Sequence, residues 1–267
     1  MPFTVSHVAA VLPVHRPLSR LRVFSAAVIG SMVPDFGLLL PGGLARWQTH
    51  SLQALFSFCL PVGLITYLLT HLLLKPAVIE ILPDGAYARL RAAPAQPSWR
   101  QARTWLLVIA ALLFGALTHL VWDGFTHENA RGVRLFPQLL HYGPDMAGHD
   151  LRLYAWLQYG SSVVGLAVVA VALALWLHHA PAPQPRPPRR LSPAERGLWG
   201  LLYTLPPVLA VLLLRLVPML RRHAPVLTGW GLGSLAIAGM RAATLSLLGI
   251  SALLLMRLAA QGIDSRR

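Results

Sequence analysis

The sequence predicts an all-α protein, a multi-pass transmembrane helical bundle of about six spanning helices plus a short N-terminal re-entrant or interfacial helix. The first reason is composition. Of 267 residues, 55% are hydrophobic and 12% charged, with a mean hydropathy of +0.58, which is too little charge to cover a soluble domain of this size. The second is run length. Residues 51–75, 104–122, 154–177, 197–217 and 231–256 are apolar runs, and about 20 such residues span a bilayer as a helix. A sixth, weaker run at 21–41 is interrupted by Pro34 and Asp35.

Taken in order, the elements read as follows. The opening MPFTVSHVAAVLPVHRPLSR has no basic stretch before its apolar part and no small-residue cleavage site, so it reads as a short helix over 4–14 that turns back at Pro17 rather than a removable signal. Pro34 breaks or kinks the first span. Basic groups then alternate along the chain. Arg16, Arg20 and Arg22 precede the first span; Lys75, Arg89, Arg91, Arg100 and Arg103 follow the second; Arg186, Arg189, Arg190 and Arg196 follow the fourth; Arg257, Arg266 and Arg267 follow the last. Placing these in the cytoplasm puts both termini inside and leaves Arg46, Arg131, Arg134, Arg152, Arg215, Arg221 and Arg222 outside, the bias that membrane topology favours. The net charge of +14 is then explained by anionic headgroups rather than nucleic acid. APAPQPRPPRR at 180–190 forbids helix. It divides the chain into a membrane-embedded part at 1–179, a Pro/Arg-rich cytoplasmic linker at 180–196 and a C-terminal helical pair at 197–267. The single cysteine, Cys59, lies in an apolar run and reads as packing.

The chain has only nine acids, and several gather near one boundary. THLVWDGFTHENARG, residues 118–132, sets His119, Asp123 and His127 four residues apart at the end of an apolar run, with Glu128 next. A continuous helix stacks such residues on one face, although Gly124 is expected to end the helix and let His127 swing away. GSMVPDFG at 30–37 supplies Asp35, and THS at 49–51 supplies His50 at the start of the next span. All face the outer side in this topology, so ligands from three helices can converge as they do in helical metal sites. Imidazole and carboxylate together ligate divalent ions such as zinc. His7 falls about 10 Å short of that height at 1.5 Å per residue, a gap that a half-inserted helix would close. His71, about 30 Å along the span from His50, is not expected to be a ligand. His141, Asp145, His149 and Asp150 read as a solvated loop. Arg241, in the outer half of its span, and Arg131 are candidates to hold an anion. The same residues also fit a hydrogen-bonded cluster that only locks helices together.

Five fragments occur in order over residues 1 to about 175: MPFTVSH, GSMVPDF, THS, THLVWDGFTH and LQYGSSVVG. In these the chain resembles a bacterial membrane family catalogued only as domain-of-unknown-function 4184. More distantly, the layout is similar to the LexA-regulated inner-membrane metal-dependent hydrolases, and through them to the all-helical zinc-dependent phospholipase C and P1 nuclease group. That resemblance implies a site in the bacterial cytoplasmic membrane with His7, Asp35, His50, His119 and Asp123 as ligands. Those hydrolases usually carry a second acid where this chain reads PDFG, a place His127 or Glu128 would take.

The expected function is a membrane-embedded hydrolase dependent on a divalent ion, zinc first, acting on a phosphoester or lipid-like substrate at the outer membrane–water interface. Asp35 or Glu128 would accept the proton, and Arg241 or Arg131 would steady negative charge. Membrane lipids and a small-molecule or lipid substrate are the expected partners. The alternative is a non-enzymatic membrane protein, a small transporter or assembly factor, with a structural or ion-binding polar cluster.

Overall fold

The computed structural model describes residues 4–40, 43–92, 99–144, 150–181, 190–220 and 229–264. Arg186, Arg189, Arg221, Arg222, Arg266, Arg267, Asp145 and His149 of the topology and loop readings lie outside the described residues. The protein is all-α; among the described residues the one β feature is an isolated bridge between Tyr142 and Arg152. Five helices are long and apolar enough to cross a membrane: Leu55–Ile81, Ala102–Thr126, Leu153–His179, Pro193–Leu213 and Ile237–Gln261. Their apolar side chains face outward, with Leu106, Val163 and Leu245 exposed by 68%, 69% and 71%. Water would penalise such surfaces, whereas lipid solvates them, so this is a membrane protein.

The weaker run at 21–41 is not one span. It forms an α-helix over Phe24–Gly30 and a 3-10 helix over Val33–Leu39. Pro34 has no N–H to continue an α-helix, and the Ser31 hydroxyl turns back to donate to the Val28 carbonyl at 2.8 Å. The break leaves the Asp35 carboxyl inside the protein, 5% exposed. The opening segment is also 3-10, over Thr4–Val14, and buries Ser6, His7, Val8 and Val11.

The described chain forms two compact units, Met1–Tyr67 with Pro94–His179, and Leu68–Ala93 with Ala180–Arg267. Residues 68–93 thus group with the C-terminal helices, a division that the proline-rich linker alone does not suggest. In the first unit, two glycines let helix backbones touch. A Cβ on Gly30 would stand 2.2 Å from the Leu112 carbonyl oxygen, and one on Gly115 would stand 2.1 Å from that of Ala27. The Phe24–Gly30 and Ala102–Thr126 helices therefore cross at the closest approach small residues permit. Ala26, Ala27, Val108, Leu112 and Ala116 fill the surrounding core with Val11 and Val33. Gly165 does the same on the Leu153–His179 helix, where a Cβ would come within 2.8 Å of the Ser6 carbonyl oxygen. This contact holds the opening 3-10 segment, and with it His7.

The second unit has its own core of Ala77, Leu191, Trp199, Leu254 and Leu258. Its Pro193–Leu220 helix opens on a capping box, in which Ser192 N–H donates to Glu195 at 2.8 Å and Glu195 N–H to the Ser192 hydroxyl at 3.3 Å. The hydroxyls of Tyr203 and Ser251 meet at 2.9 Å.

Candidate metal centre

Four segments of the first unit deliver side chains to one point. The Val33–Leu39 turn brings Asp35, the residue after the Arg46–Thr49 helix is His50, and the Ala102–Thr126 helix carries His119 and Asp123 one turn apart. The opening 3-10 helix adds His7, whose ring stacks on His119 with centroids 3.6 Å apart. One ligand atom from each of Asp35, His50, His119 and Asp123 lies within 4.8 Å of the other three.

The distances show how far the group could hold a metal ion. His50 Nε2 stands 3.4 Å from Asp35 Oδ1 and 3.4 Å from Asp123 Oδ2. His119 Nε2 stands 3.6 Å from the same two oxygens. These spacings exceed the usual ~2.7–3.2 Å of an N–H···O bond. These four are close to the ~3.3–3.6 Å edges of a tetrahedron whose ligands sit ~2.0–2.2 Å from its centre, within a set that as a whole spans up to 4.8 Å. His50 Nε2 and His119 Nε2 are buried without a hydrogen-bond partner, a cost that a cation between them would remove.

The far sides of both rings are fixed. His119 Nδ1–H donates to the Ser31 carbonyl oxygen at 2.7 Å. His50 Nδ1 and the Thr49 hydroxyl share a hydrogen bond at 2.7 Å, and the Arg46 carbonyl oxygen lies 3.4 Å from that hydroxyl. Both rings thereby turn Nε2 toward the centre, the orientation a metal ligand requires. The Thr4 hydroxyl donates to Asp35 Oδ2 at 2.8 Å, and the Cys59 thiol donates to the Thr49 carbonyl at 3.5 Å. Cys59 thus packs beneath the site.

Two carboxylates buried this close repel one another and call for positive charge. Arg46 supplies part of it, with one guanidinium nitrogen 2.8 Å from Asp123 Oδ2. Burial lowers the pKa of His50, but contacts to Asp123 and Asp35 outweigh it and the net direction is upward. For His7, burial, helped by the neighbouring His119, pushes the pKa down to about 4, so at neutral pH it is an uncharged imidazole with Nε2 3.5 Å from Asp123 Oδ1. Burial likewise pushes His127 down to about 4.

The sequence-predicted residues divide clearly. Asp35, His50, His119 and Asp123 converge, and His7, expected to fall short, reaches them because its segment is packed inside the unit. His127 stands at the edge, Nδ1 3.6 Å from Asp123 Oδ2. The helix does not end at Gly124; it runs to Thr126, and His127 follows in extended conformation. Glu128 is a correction: it is not in the cluster but exposed, 3.5 Å from Arg152. Its position two residues past the helix end at Thr126 turns it away from the face that carries His119 and Asp123. Arg131 lines a cavity of about 530 Å³ together with Arg46 and His50. A second cavity of about 370 Å³ reaches His50 and His127 from another side, past Gln158. Arg241 lies on the Gly229–Asp264 helix and His71 on the Thr70–Leu74 turn, both in the second unit. His141 and Asp150 are exposed.

Arg46 is the residue the sequence reading did not single out. By charge it falls with the outer-side arginines; its place four residues before His50, in ARWQTHS, is the signal the sequence offers.

No curated protein and no solved structure matches the chain. A family model described as a domain of unknown function (DUF4184) matches residues 1–253. It therefore extends beyond the five motifs, which stop near residue 175, and into the C-terminal helices. With the match covering nearly all of its length, the chain belongs to the DUF4184 family.

Proposed function

We propose that this protein is a membrane-embedded hydrolase dependent on a divalent metal ion, working at the outer face of the bacterial cytoplasmic membrane. The observation that carries the reading is the convergence of four ligand atoms within 4.8 Å, two of them imidazole nitrogens whose rings are anchored on the far side. A mixed set of imidazole and carboxylate suits zinc or manganese. Such an ion supplies Lewis acidity and an activated water for attack on an ester or phosphoester bond.

The chain's own groups then have distinct tasks. Asp35, His50, His119 and Asp123 hold the ion, and His7 backs His119 and Asp123. His127, whose Nδ1 stands 3.6 Å from Asp123 Oδ2 and whose Nε2 is buried without a hydrogen-bond partner, takes the proton from water, the task expected of Glu128 or Asp35. Arg46 and Arg131, which share a cavity with His50, steady negative charge developing on the substrate.

The Arg46–Asp123 ion pair favours a second reading, in which the cluster is self-neutralising and only locks helices together, as in a transporter or assembly factor. Metal analysis of the purified protein separates the two. About one zinc or manganese per chain, together with chelator-sensitive hydrolysis of a chromogenic phosphoester, is the expected result. A folded, metal-free protein that gains no activity on adding either ion would overturn the hydrolase reading.

A further inference from the structure

The cavity beside the cluster has a two-part chemistry. Its lining includes Arg46, Arg131 and Arg134, and none of its lining residues is a carboxylate. Arg131 and Arg134 are exposed, and neither has an ion-pair partner among the described residues. Its apolar wall includes Leu117, Val121 and Phe125, spaced by one turn along the Ala102–Thr126 span. That stripe runs for about 12 Å at 1.5 Å per residue. The same three side chains are 42%, 56% and 39% exposed, so the wall continues onto the surface that faces lipid. His50 belongs both to this cavity and to the cluster.

The geometry points to a binding site for an anionic phospholipid, entered sideways from the bilayer. Its phosphate sits among Arg46, Arg131 and Arg134, and one acyl chain lies along Leu117, Val121 and Phe125. Guanidinium forks match phosphate oxygens in pairs, and an apolar wall is wasted on a free anion. A cavity of about 530 Å³ lies within the ~300–1,000 Å³ usual for ligand sites and accommodates a headgroup with the upper part of one chain. Because His50 is shared, a phosphate held there lies next to the ligand cluster. The lipid's role as substrate rests on the hydrolase reading above, whereas its binding does not.

The test is equilibrium binding to the full-length protein in neutral maltoside micelles, with three probes: dihexanoyl phosphatidic acid, dihexanoyl phosphatidylcholine and inorganic phosphate. The acid should bind at least tenfold tighter than either of the others. In Arg131→Ala/Arg134→Ala its affinity should fall at least tenfold, while melting temperature and metal content stay unchanged. Val121→Trp, which narrows the slot, should weaken the acid and leave inorganic phosphate unaffected. Equal affinity for the acid and the choline lipid overturns the proposal, as does a double variant that binds normally. Phosphate binding as tightly as the lipid also overturns it, in favour of a soluble anion. The two readings fail separately: a metal-free protein that still shows the arginine-dependent preference sinks only the hydrolase. A metal-loaded protein indifferent to the arginines sinks only the lipid site.

Discussion

Replacing Asp123 by Asn isolates the metal question from the packing question. The amide keeps the size of the side chain and its capacity to accept a hydrogen bond, and removes one negative charge. Asp123 is 2% exposed and touches His7, His50, His119, His127 and Arg46, so the change acts at the middle of the cluster. Losing one partner of a fully buried ion pair costs about 3–5 kcal/mol when the survivor is trapped. Arg46 is not trapped, since its side chain is 40% exposed and can turn to water. The folding cost should therefore stay near 1 kcal/mol, as for an exposed pair. Metal binding should suffer more. Changes to outer partners of ligands cost about 10–100-fold in affinity, and Asp123 faces the centre directly. Tenfold, about 1.4 kcal/mol, is the least expected. Elemental analysis after dialysis against a graded chelator series reads the affinity, and a thermal melt in detergent reads the fold. A variant that melts like the parent and keeps its full metal affinity would refute the ligand assignment and most of the case for an enzyme.

His127→Ala should leave metal affinity within about threefold, since the ring sits at the edge of the cluster, but lower the hydrolytic rate about 100-fold if it accepts the proton; elemental analysis and steady-state rates check both. Gly115→Ala forces a Cβ to 2.1 Å from the Ala27 carbonyl oxygen, which should cost about 1–3 kcal/mol and loosen the Ser31 anchor of His119, visible as a lower melting temperature and weaker metal retention. In the metal-free protein, burial holds His7 and His127 near a pKa of about 4 against an ordinary 6.5. The unfolded chain therefore takes up protons that the folded one refuses, and stability should fall as pH drops from about 6.5 to 4; His50, shifted upward, already contributes fully below 6.5 and leaves that direction unchanged. Melting temperatures that rise across this window on acidification would contradict it. For topology, in a Cys59→Ala background, Tyr142→Cys should react with a membrane-impermeant thiol reagent in intact cells and Arg91→Cys should not; labelling of Arg91→Cys would move the site to the cytoplasmic side. Tyr142 is the better probe than Gly143, where a Cβ would press to 2.6 Å on Trp156.

The sequence by itself determined the class and most of the residues that cluster. Apolar runs of bilayer length can be only helices in lipid, because every backbone polar group must be satisfied within its own segment. That inference needs no knowledge of packing. The His119–Asp123 face was equally legible, since helical periodicity is local and the same in any fold. Tertiary structure decided what depends on contacts between distant segments. His7 reaches the site only because Gly165 admits the Ser6 backbone. Asp35 turns inward only because the first apolar run breaks at Ser31 and Pro34. Arg46 joins Asp123 across 77 residues of chain, and no spacing rule connects residues so far apart. Glu128 illustrates the converse. It is adjacent in sequence to His127, yet the helix stops at Thr126, and past that end a neighbour in sequence is no longer a neighbour on the face.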